Sequence, residues 1–205
     1  FFFRFYMPLS FDNTRIAFQY RNNKDLKLAH FLFLSMSSPL ITKMGITIMQ
    51  YAIKWKLPVK GLIKNTIFKQ FCGGEGLQEA AATAAILGRY RVSVALDYGV
   101  EGKESEAEFD RAVPEFINAI EYAASQPNIP FIPVKVTGFA RFGLLEKLQS
   151  KAPLSEVEQS EWERVKVRID KICAAASEKH LMILIDAEQS WIQEPVDART
   201  DAMME

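Results

Sequence analysis

The feature that most constrains the fold of this chain is an alternation of strand-like and helix-like segments that begins after Gly74. Three short apolar runs are typical of strands, at 91–99, 128–138 and 181–188. Helical patterns precede, separate and follow them, at 76–90, 105–126, 141–151 and 155–180 and from Pro195 onward. Because strands that alternate with helices pair in parallel through right-handed crossovers, the sequence predicts an α/β fold.

Two architectures share this order of elements, the open doubly wound sheet and the closed eight-stranded barrel. The segment after the first predicted strand, DYGVEGKE at 97–104, is not the GxGxxG pattern of a dinucleotide-binding site, which favours the barrel. We therefore expect residues 75–205 to form the first three β/α units of a (β/α)8 TIM-type barrel. Residues 1–74 are expected to form an α-helical N-terminal arm.

The predicted arm is basic and apolar. No acidic residue occurs from Leu26 to Gly74, and Pro39 and Pro58 divide the segment into short helices. Its charge-free runs are too short to span a membrane, but a basic amphipathic helix can lie on an anionic membrane surface. An arm packed against its own protein fits the same pattern. Seven lysines carry its charge: Lys27, Lys43, Lys54, Lys56, Lys60, Lys64 and Lys69.

Composition narrows the classes of function. Lysine plus arginine equals aspartate plus glutamate at 25 each, so the charge gives no reason to expect nucleic acid as a partner. Two histidines and two isolated cysteines offer no zinc-type spacing, and we expect no metal site. Cys72 and Cys173 are expected to be buried thiols in a reducing compartment, which favours a cytoplasmic location. Because the chain starts at Phe1 and stops within a predicted helix, we expect a piece of a longer protein, in which residues 1–6 are translated upstream sequence.

Lys135 is the first candidate for chemistry. It lies between two valines in the predicted strand IPVKVTG, where an ammonium group is costly to bury unless it meets an anion. Four roles remain open: binding a substrate carboxylate, pairing with Asp186, acting as a Schiff-base amine, or forming a purely structural salt bridge.

Asp186 is the second candidate, because it ends the apolar run LMILI. It could act as a base, orient Lys135 or cap a helix. Asp97 ends the first predicted strand and should converge with Lys135 and Asp186 at the carboxyl edge of the sheet. Glu188, Asp97 and Glu101 are weaker candidates, since an acid near a strand end is often structural or solvated.

Four segments together resemble the monofunctional, FAD-dependent proline dehydrogenase family: KNTIFKQFCGGE, LDYGVEGKE, IPVKVTGFARFGLLEKL and MILIDAEQSWIQ. The resemblance runs from about Thr14 to the end of the chain. It implies a distorted barrel that holds FAD non-covalently, oxidises L-proline to Δ1-pyrroline-5-carboxylate and passes the electrons to a membrane quinone. It also implies peripheral association with the inner face of a membrane, mitochondrial in a eukaryote.

The resemblance assigns roles to individual residues. Lys135 matches the lysine that binds the proline carboxylate, and Asp186 matches the active-site aspartate. Ala187 matches a backbone position against the flavin, and Glu101 lies near a glutamate that gates the pocket. Because later strands of such a barrel would lie outside these 205 residues, we expect the isolated chain to bind flavin poorly, to be inactive and to aggregate through its open edge.

Two other hypotheses stay open at this point. The chain could belong to a different barrel enzyme that uses Lys135 as a Schiff-base lysine. It could also be a non-catalytic binding protein in which Lys135 and Asp186 form a structural pair.

Overall fold

Helices make up most of the structure, and its two strands form one small parallel sheet. The computed structural model describes residues 12–99 and 103–204. These residues divide into two compact units, one that ends at Tyr90 and one that begins at Arg91.

The first unit is entirely helical over its described residues. Its α3 helix begins at Pro39, where the missing N–H of proline costs no intrahelical hydrogen bond, and Pro58 lies between α3 and α4. The predicted division of the arm into short helices is therefore confirmed. The elements are α1 (Thr14–Ala17), α2 (Asn23–Met36), α3 (Pro39–Lys54), α4 (Lys60–Ile63), a π-helical turn (Lys64–Phe68), α5 (Lys69–Phe71) and α6 (Leu77–Arg89).

Two predictions for this unit concerned membrane-spanning length and the burial of its cysteine. Within residues 12–99 and 103–204, no single helix has both the length and the hydropathy to cross a membrane; α2 and α3 satisfy those criteria only together, with a bend of 102° between them. Cys72 follows α5 and is exposed, while Cys173 in the second unit is half-buried. The prediction of two buried thiols is thus wrong for Cys72, because the short helix before it has no buried face.

The second unit contains both strands. They pair in parallel from Phe131 opposite Met182 to Val134 opposite Ile185, and the chain passes from one strand to the other through two helices. This is the predicted β/α crossover. The elements are α7 (Glu106–Ala124), β1 (Phe131–Val134), a 3-10 helix (Val136–Gly138), α8 (Phe142–Gln149), α9 (Glu156–Glu178), β2 (Met182–Ile185) and α10 (Gln193–Met204).

Helix α7 differs in two ways from its sequence pattern, which predicts a capping box from Ser105 to Glu108 and a bend or an interruption near Pro114. It continues through Pro114, where we expected a bend or an interruption, because a buried apolar face extends on both sides of the proline. The Ser105 hydroxyl donates to the Glu108 carboxylate at 2.9 Å instead of accepting a backbone N–H, so the capping box predicted there is not formed. The reciprocal box forms at the start of α9, between Ser155 and Glu158.

The core lies between the sheet and the helices on one of its faces. Ile132 and Val134 of β1 are almost completely buried, as are the inward residues of α7, α8 and α9. The largest buried side chains include Phe109, Ile120, Phe139, Leu144, Leu145, Ile169 and Ile172.

The first predicted strand, at 91–99, is not formed. Residues 92–99 carry no regular secondary structure, although the Val94 N–H donates to the Asn128 carbonyl at 2.8 Å. Val134 directs its carbonyl to β2, so its neighbour Pro133 directs its backbone to the opposite edge, and proline has no N–H to offer there. The edge of β1 that faces residues 91–99 therefore lacks a donor that a regular ladder needs.

The other face of β2 is not covered by the described residues. Met182 and Leu184 are 64% and 47% exposed, whereas Ile183 and Ile185 on the opposite face are half-buried against helices. The apolar runs in the sequence predict strands that helices cover along most of their length. Because side chains alternate along a strand, Asp186 belongs to the same open face as Met182 and Leu184.

Candidate functional site

Lys135 and Asp186 stand side by side at the carboxyl ends of the two strands. Lys135 directly follows β1 and Asp186 directly follows β2, and the Asp186 N–H donates to the Val134 carbonyl at 3.0 Å. This hydrogen bond continues the register of the ladder by one residue. Since adjacent parallel strands lie about 4.8 Å apart, the two residues are neighbours on one face of the sheet.

The environment of Lys135 matches the expectation of a cation near buried apolar residues. Val134 and Val136 on either side of it are each 1% exposed, while Lys135 itself is half-buried and has an extended backbone. Its Nζ lies 3.7 Å from Oδ2 of Asp97. The sequence predicted that these two residues converge, but it favoured Asp186 as the ion-pair partner, and the described residues show no ion pair between Lys135 and Asp186.

The Asp186 side chain is half-buried. Among residues 12–99 and 103–204, no group donates a hydrogen bond to its carboxylate or forms an ion pair with it. Its backbone is fixed by the sheet, as described above, whereas its carboxylate is available to a bound molecule. A carboxylate and an ammonium group side by side at an uncovered strand end can together bind a ligand that carries one positive and one negative charge.

Glu188 does not act as a second free acid on this face. Its carboxylate accepts hydrogen bonds from the Thr137 N–H at 3.1 Å and from the Thr137 hydroxyl at 2.5 Å. Its own N–H donates to Oε1 of Gln193 at the start of α10. The pairing of Glu188 with Thr137 was missed in the sequence, where the only signals were a threonine two residues after Lys135 and an acid two residues after Asp186.

Two further predicted site residues complete the comparison. Ala187 follows Asp186 and is exposed. Glu101 lies outside the described residues.

Two cavities formed by residues within 12–99 and 103–204 lie away from Lys135 and Asp186. One of about 310 Å³ is in the first unit, between α3 and α4, and one of about 330 Å³ lies among α8, α9 and α10. Neither is lined by Lys135 or Asp186. The end of β2 is uncovered on the face that carries Met182 and Leu184, so it forms an open surface and not an enclosed pocket.

Buried ion pairs hold the segment that follows β1. Arg141 donates two hydrogen bonds, of 2.8 and 2.7 Å, to the buried Glu161 carboxylate of α9, and these bonds raise the pKa of Arg141. Arg168 on α9 reaches the Phe139 carbonyl at 3.4 Å and pairs with Glu106 on α7. Burial opposes the ionisation of Glu106, but hydrogen bonds from arginines lower its pKa below the ordinary value. The segment that follows Lys135 is therefore anchored to α9, which itself pairs with α7.

Comparison with known proteins places the chain in a family. Residues 80–205 match the family model described as Proline dehydrogenase. Proline dehydrogenase 1, mitochondrial, of Arabidopsis thaliana is 28% identical over 177 residues, covering 68% of this chain and 36% of that protein. Its namesake in Dictyostelium discoideum is 27% identical over 173 residues, covering 66% and 30%.

A bacterial relative has a different name. The Carbapenem antibiotics biosynthesis protein CarD of Pectobacterium carotovorum subsp. carotovorum is 29% identical over 145 residues, covering 71% of this chain and 39% of that protein. The chain spans less than two fifths of the length of each of these three relatives. The family model covers more than half of the chain, and it agrees with the resemblance found in the motifs around Lys135 and Asp186. The chain belongs to the proline dehydrogenase family.

Proposed function

We propose that this chain is part of an enzyme that oxidises L-proline to Δ1-pyrroline-5-carboxylate, with FAD as the cofactor and a quinone as the electron acceptor. The observation that carries the proposal is the adjacency of Lys135 and Asp186 on the open face of the sheet. Family membership supports the reaction. The charges of the site residues support proline as the substrate.

Proline is a zwitterion, and its two charges complement this pair of residues. The Lys135 ammonium binds the substrate carboxylate through a charge-assisted hydrogen bond. The Asp97 carboxylate lies 3.7 Å from this ammonium, a separation that exceeds an ordinary hydrogen bond. The carboxylate of Asp186 stands beside it and faces the substrate amine.

The residues at the end of β2 fit a flavin. Ala187 is exposed and has only a methyl side chain, so a planar ring can approach its backbone. Met182 and Leu184 extend an apolar surface along the same strand. When bound, FAD supplies the hydride acceptor, and the protein's task is to hold the ring carbon of proline in position. Ala187 and Asp186 would flank that position, and Glu101 would gate it.

A partial barrel is the architecture that best accounts for the sheet. The described helices cover the face of the sheet that carries Ile132 and Val134, and the opposite face of β2 is open. In a barrel, that second face points to the barrel interior, whereas a doubly wound sheet has helices on both faces. The exposed Met182 and Leu184 are then the residues that further strands would cover.

The Schiff-base alternative is less favoured. The family model that matches residues 80–205 supports proline oxidation, a reaction that needs no Schiff-base lysine. Borohydride trapping with a carbonyl substrate distinguishes the two, because a lysine that binds a carboxylate is not trapped.

We also propose that the arm associates peripherally with an anionic membrane, on the inner face of the cytoplasmic membrane or, in a eukaryote, of the mitochondrial inner membrane. Exposed apolar side chains lie along α2 and α3 and the turn that follows, among them Phe31, Ile48, Ile53 and Trp55. Trp55, at 68% exposed, is flanked by two lysines, which is a combination typical of membrane-interface anchors.

The lysines of the arm divide into two groups. Those that pair with acids on the same unit have less charge to offer a membrane: Lys60, Lys64 and Lys69, which meet Glu75, Glu79 or Asp25. The others form no ion pair with the described residues: Lys27, Lys43, Lys54 and Lys56. Electrostatic attraction to anionic lipid should therefore come chiefly from the second group.

Vesicle binding tests this part of the proposal. Replacing Lys54 and Lys56 by Gln should weaken co-sedimentation with phosphatidylserine-containing vesicles roughly thirtyfold, at about 1 kcal/mol per lysine. Lys171→Gln with Lys179→Gln is the matched control, since it removes two exposed lysines of the second unit. Equal loss in both variants, or binding that persists after all seven lysines of the arm are neutralised, would argue against an electrostatic contribution from the arm.

The first test of the reaction is spectroscopic. The complete encoded protein, purified without oxygen, should show a flavin band that bleaches when L-proline is added. Lys135→Ala should raise the proline concentration needed for half-maximal bleaching by about tenfold to a hundredfold, the loss expected for one charge-assisted hydrogen bond. A yellow protein that does not bleach would indicate another substrate. A protein that stays colourless with added FAD would refute the proposal.

A further inference from the structure

The carboxylate of Glu188 joins the segments that follow the two strands. It accepts two hydrogen bonds from Thr137, one from the backbone N–H and one from the hydroxyl. Thr137 is 7% exposed, so this contact is largely shielded from water. We refer to Glu188 and Thr137 together as the carboxylate clamp.

The clamp meets a need of the backbone next to Lys135. Lys135 is the N-cap of the 3-10 helix Val136–Gly138, and its own side chain makes no capping hydrogen bond. The first N–H groups of any helix lack partners within it, and a carboxylate is the acceptor that suits them best. Glu188, which comes 51 residues later in the chain, supplies that acceptor for Thr137.

The result is that Lys135 is held on both sides. Before it, the Val134 carbonyl accepts from the Asp186 N–H at 3.0 Å. After it, the clamp fixes Thr137, and the Gly138 N–H donates to the carbonyl of Lys135 itself at 3.0 Å. The same two links enclose Asp186 and Ala187 on the neighbouring segment, since Glu188 follows them directly.

We propose that Glu188 is a positioning residue that sets the location of Lys135 relative to Asp186, and so the affinity of the site for an amino-acid carboxylate. The inference rests on the proposed function. Without the clamp, the turn after β1 loses its only carboxylate cap among the described residues, and the lysine backbone gains freedom. The distance between the cation and the anion that bind the zwitterion would then vary, and substrate binding would weaken more than turnover.

Kinetics of the complete holoprotein test this inference. Glu188→Ala should raise KM for L-proline about tenfold and change kcat by less than about threefold. Glu188→Gln keeps an acceptor for the Thr137 N–H, so it should restore part of the loss. Thr137→Val, which removes the hydroxyl and keeps the shape, should raise KM in the same direction as Glu188→Ala. Glu163→Ala, which removes an exposed carboxylate from α9, is the matched control and should leave KM unchanged.

A double-mutant cycle with Lys135 distinguishes positioning from general stability. If Glu188 acts through Lys135, adding Glu188→Ala to Lys135→Ala should lower kcat/KM by less than about twofold, although the same change costs about tenfold in the parent protein. Thermal unfolding of each variant verifies that it is folded. Should Glu188→Ala fail to fold, the same cycle is run with Thr137→Val.

Each outcome decides a separate question. A KM that does not change in Glu188→Ala, or a tenfold loss that recurs in the Lys135→Ala background, would overturn the positioning role and leave the proposed function intact. A parent protein that never oxidises proline would overturn the proposed function, and this inference with it.

Discussion

Removing charge from opposite sides of one buried ion pair should have unequal effects on stability. Arg168 on α9 pairs with Glu106 and Asp110 of α7 and lies over the ring of Phe109 at 5.5 Å. Only 4% of the arginine side chain is exposed, against 38% for Glu106 and 69% for Asp110. The two acids can therefore be solvated without their partner, and the arginine cannot.

The magnitudes follow from this difference in exposure. Glu106→Gln with Asp110→Asn leaves a buried guanidinium group whose other described acceptor is the neutral Phe139 carbonyl at 3.4 Å. An uncompensated buried charge of this kind should cost about 3 kcal/mol. Arg168→Met removes the charge and keeps an apolar side chain against Phe109, so its cost should be about 1 kcal/mol, mainly the lost cation–π contact and hydrogen bonds.

Urea denaturation, followed by far-ultraviolet circular dichroism, measures these free energies of unfolding. The decisive variant combines all three substitutions. Adding Arg168→Met to the Glu106→Gln, Asp110→Asn protein should raise its stability, because the unpaired cation is then gone. A triple variant less stable than the double one would refute this account of the ion pair and would mean that the arginine acts mainly through packing.

Two further predictions concern acid stability and the cofactor. Hydrogen bonds, first from Lys147 and then from Ser155, lower the pKa of Glu158 from 4.5 to about 2 in the folded protein. The ionised Glu158 therefore contributes fully to stability above pH 4.5, and this contribution is lost as the pH falls from there towards 2. Glu158→Gln should flatten the dependence of the free energy of unfolding on pH in that interval and leave its slope near pH 7 unchanged. The 205-residue chain alone should retain no FAD after gel filtration and should elute partly as aggregates, because its sheet has open edges; stoichiometric flavin on a monomeric peak would contradict this.

Local signals in the sequence were enough to locate most elements. Pro39 begins α3, and Pro195 lies in the first turn of α10, as predicted, because proline suits the first turn of a helix, where N–H groups have no partner. The strands β1 and β2 lie within the predicted runs 128–138 and 181–188. These signals act over a few residues, so they can be identified before the fold is known.

The missing strand shows where local signals are insufficient. Residues 91–99 are apolar enough to predict a strand, but a strand also needs a partner edge with regular donors. Pro133 removes one donor from that edge. Whether a run of this kind forms a ladder depends on a residue more than 30 positions away, and its own composition does not show it.

The candidate site could likewise be predicted from the sequence only in part. The sequence alone determined that Lys135 and Asp186 would converge, because the carboxyl ends of parallel strands lie at one edge of a sheet whatever the details of packing. Only the tertiary structure decided that, of the two aspartates, Asp97 forms the ion pair with Lys135, and that Glu188 holds Thr137. Side-chain partners depend on strand register and on turn geometry to within about an ångström, and these are set jointly by segments up to 51 residues apart.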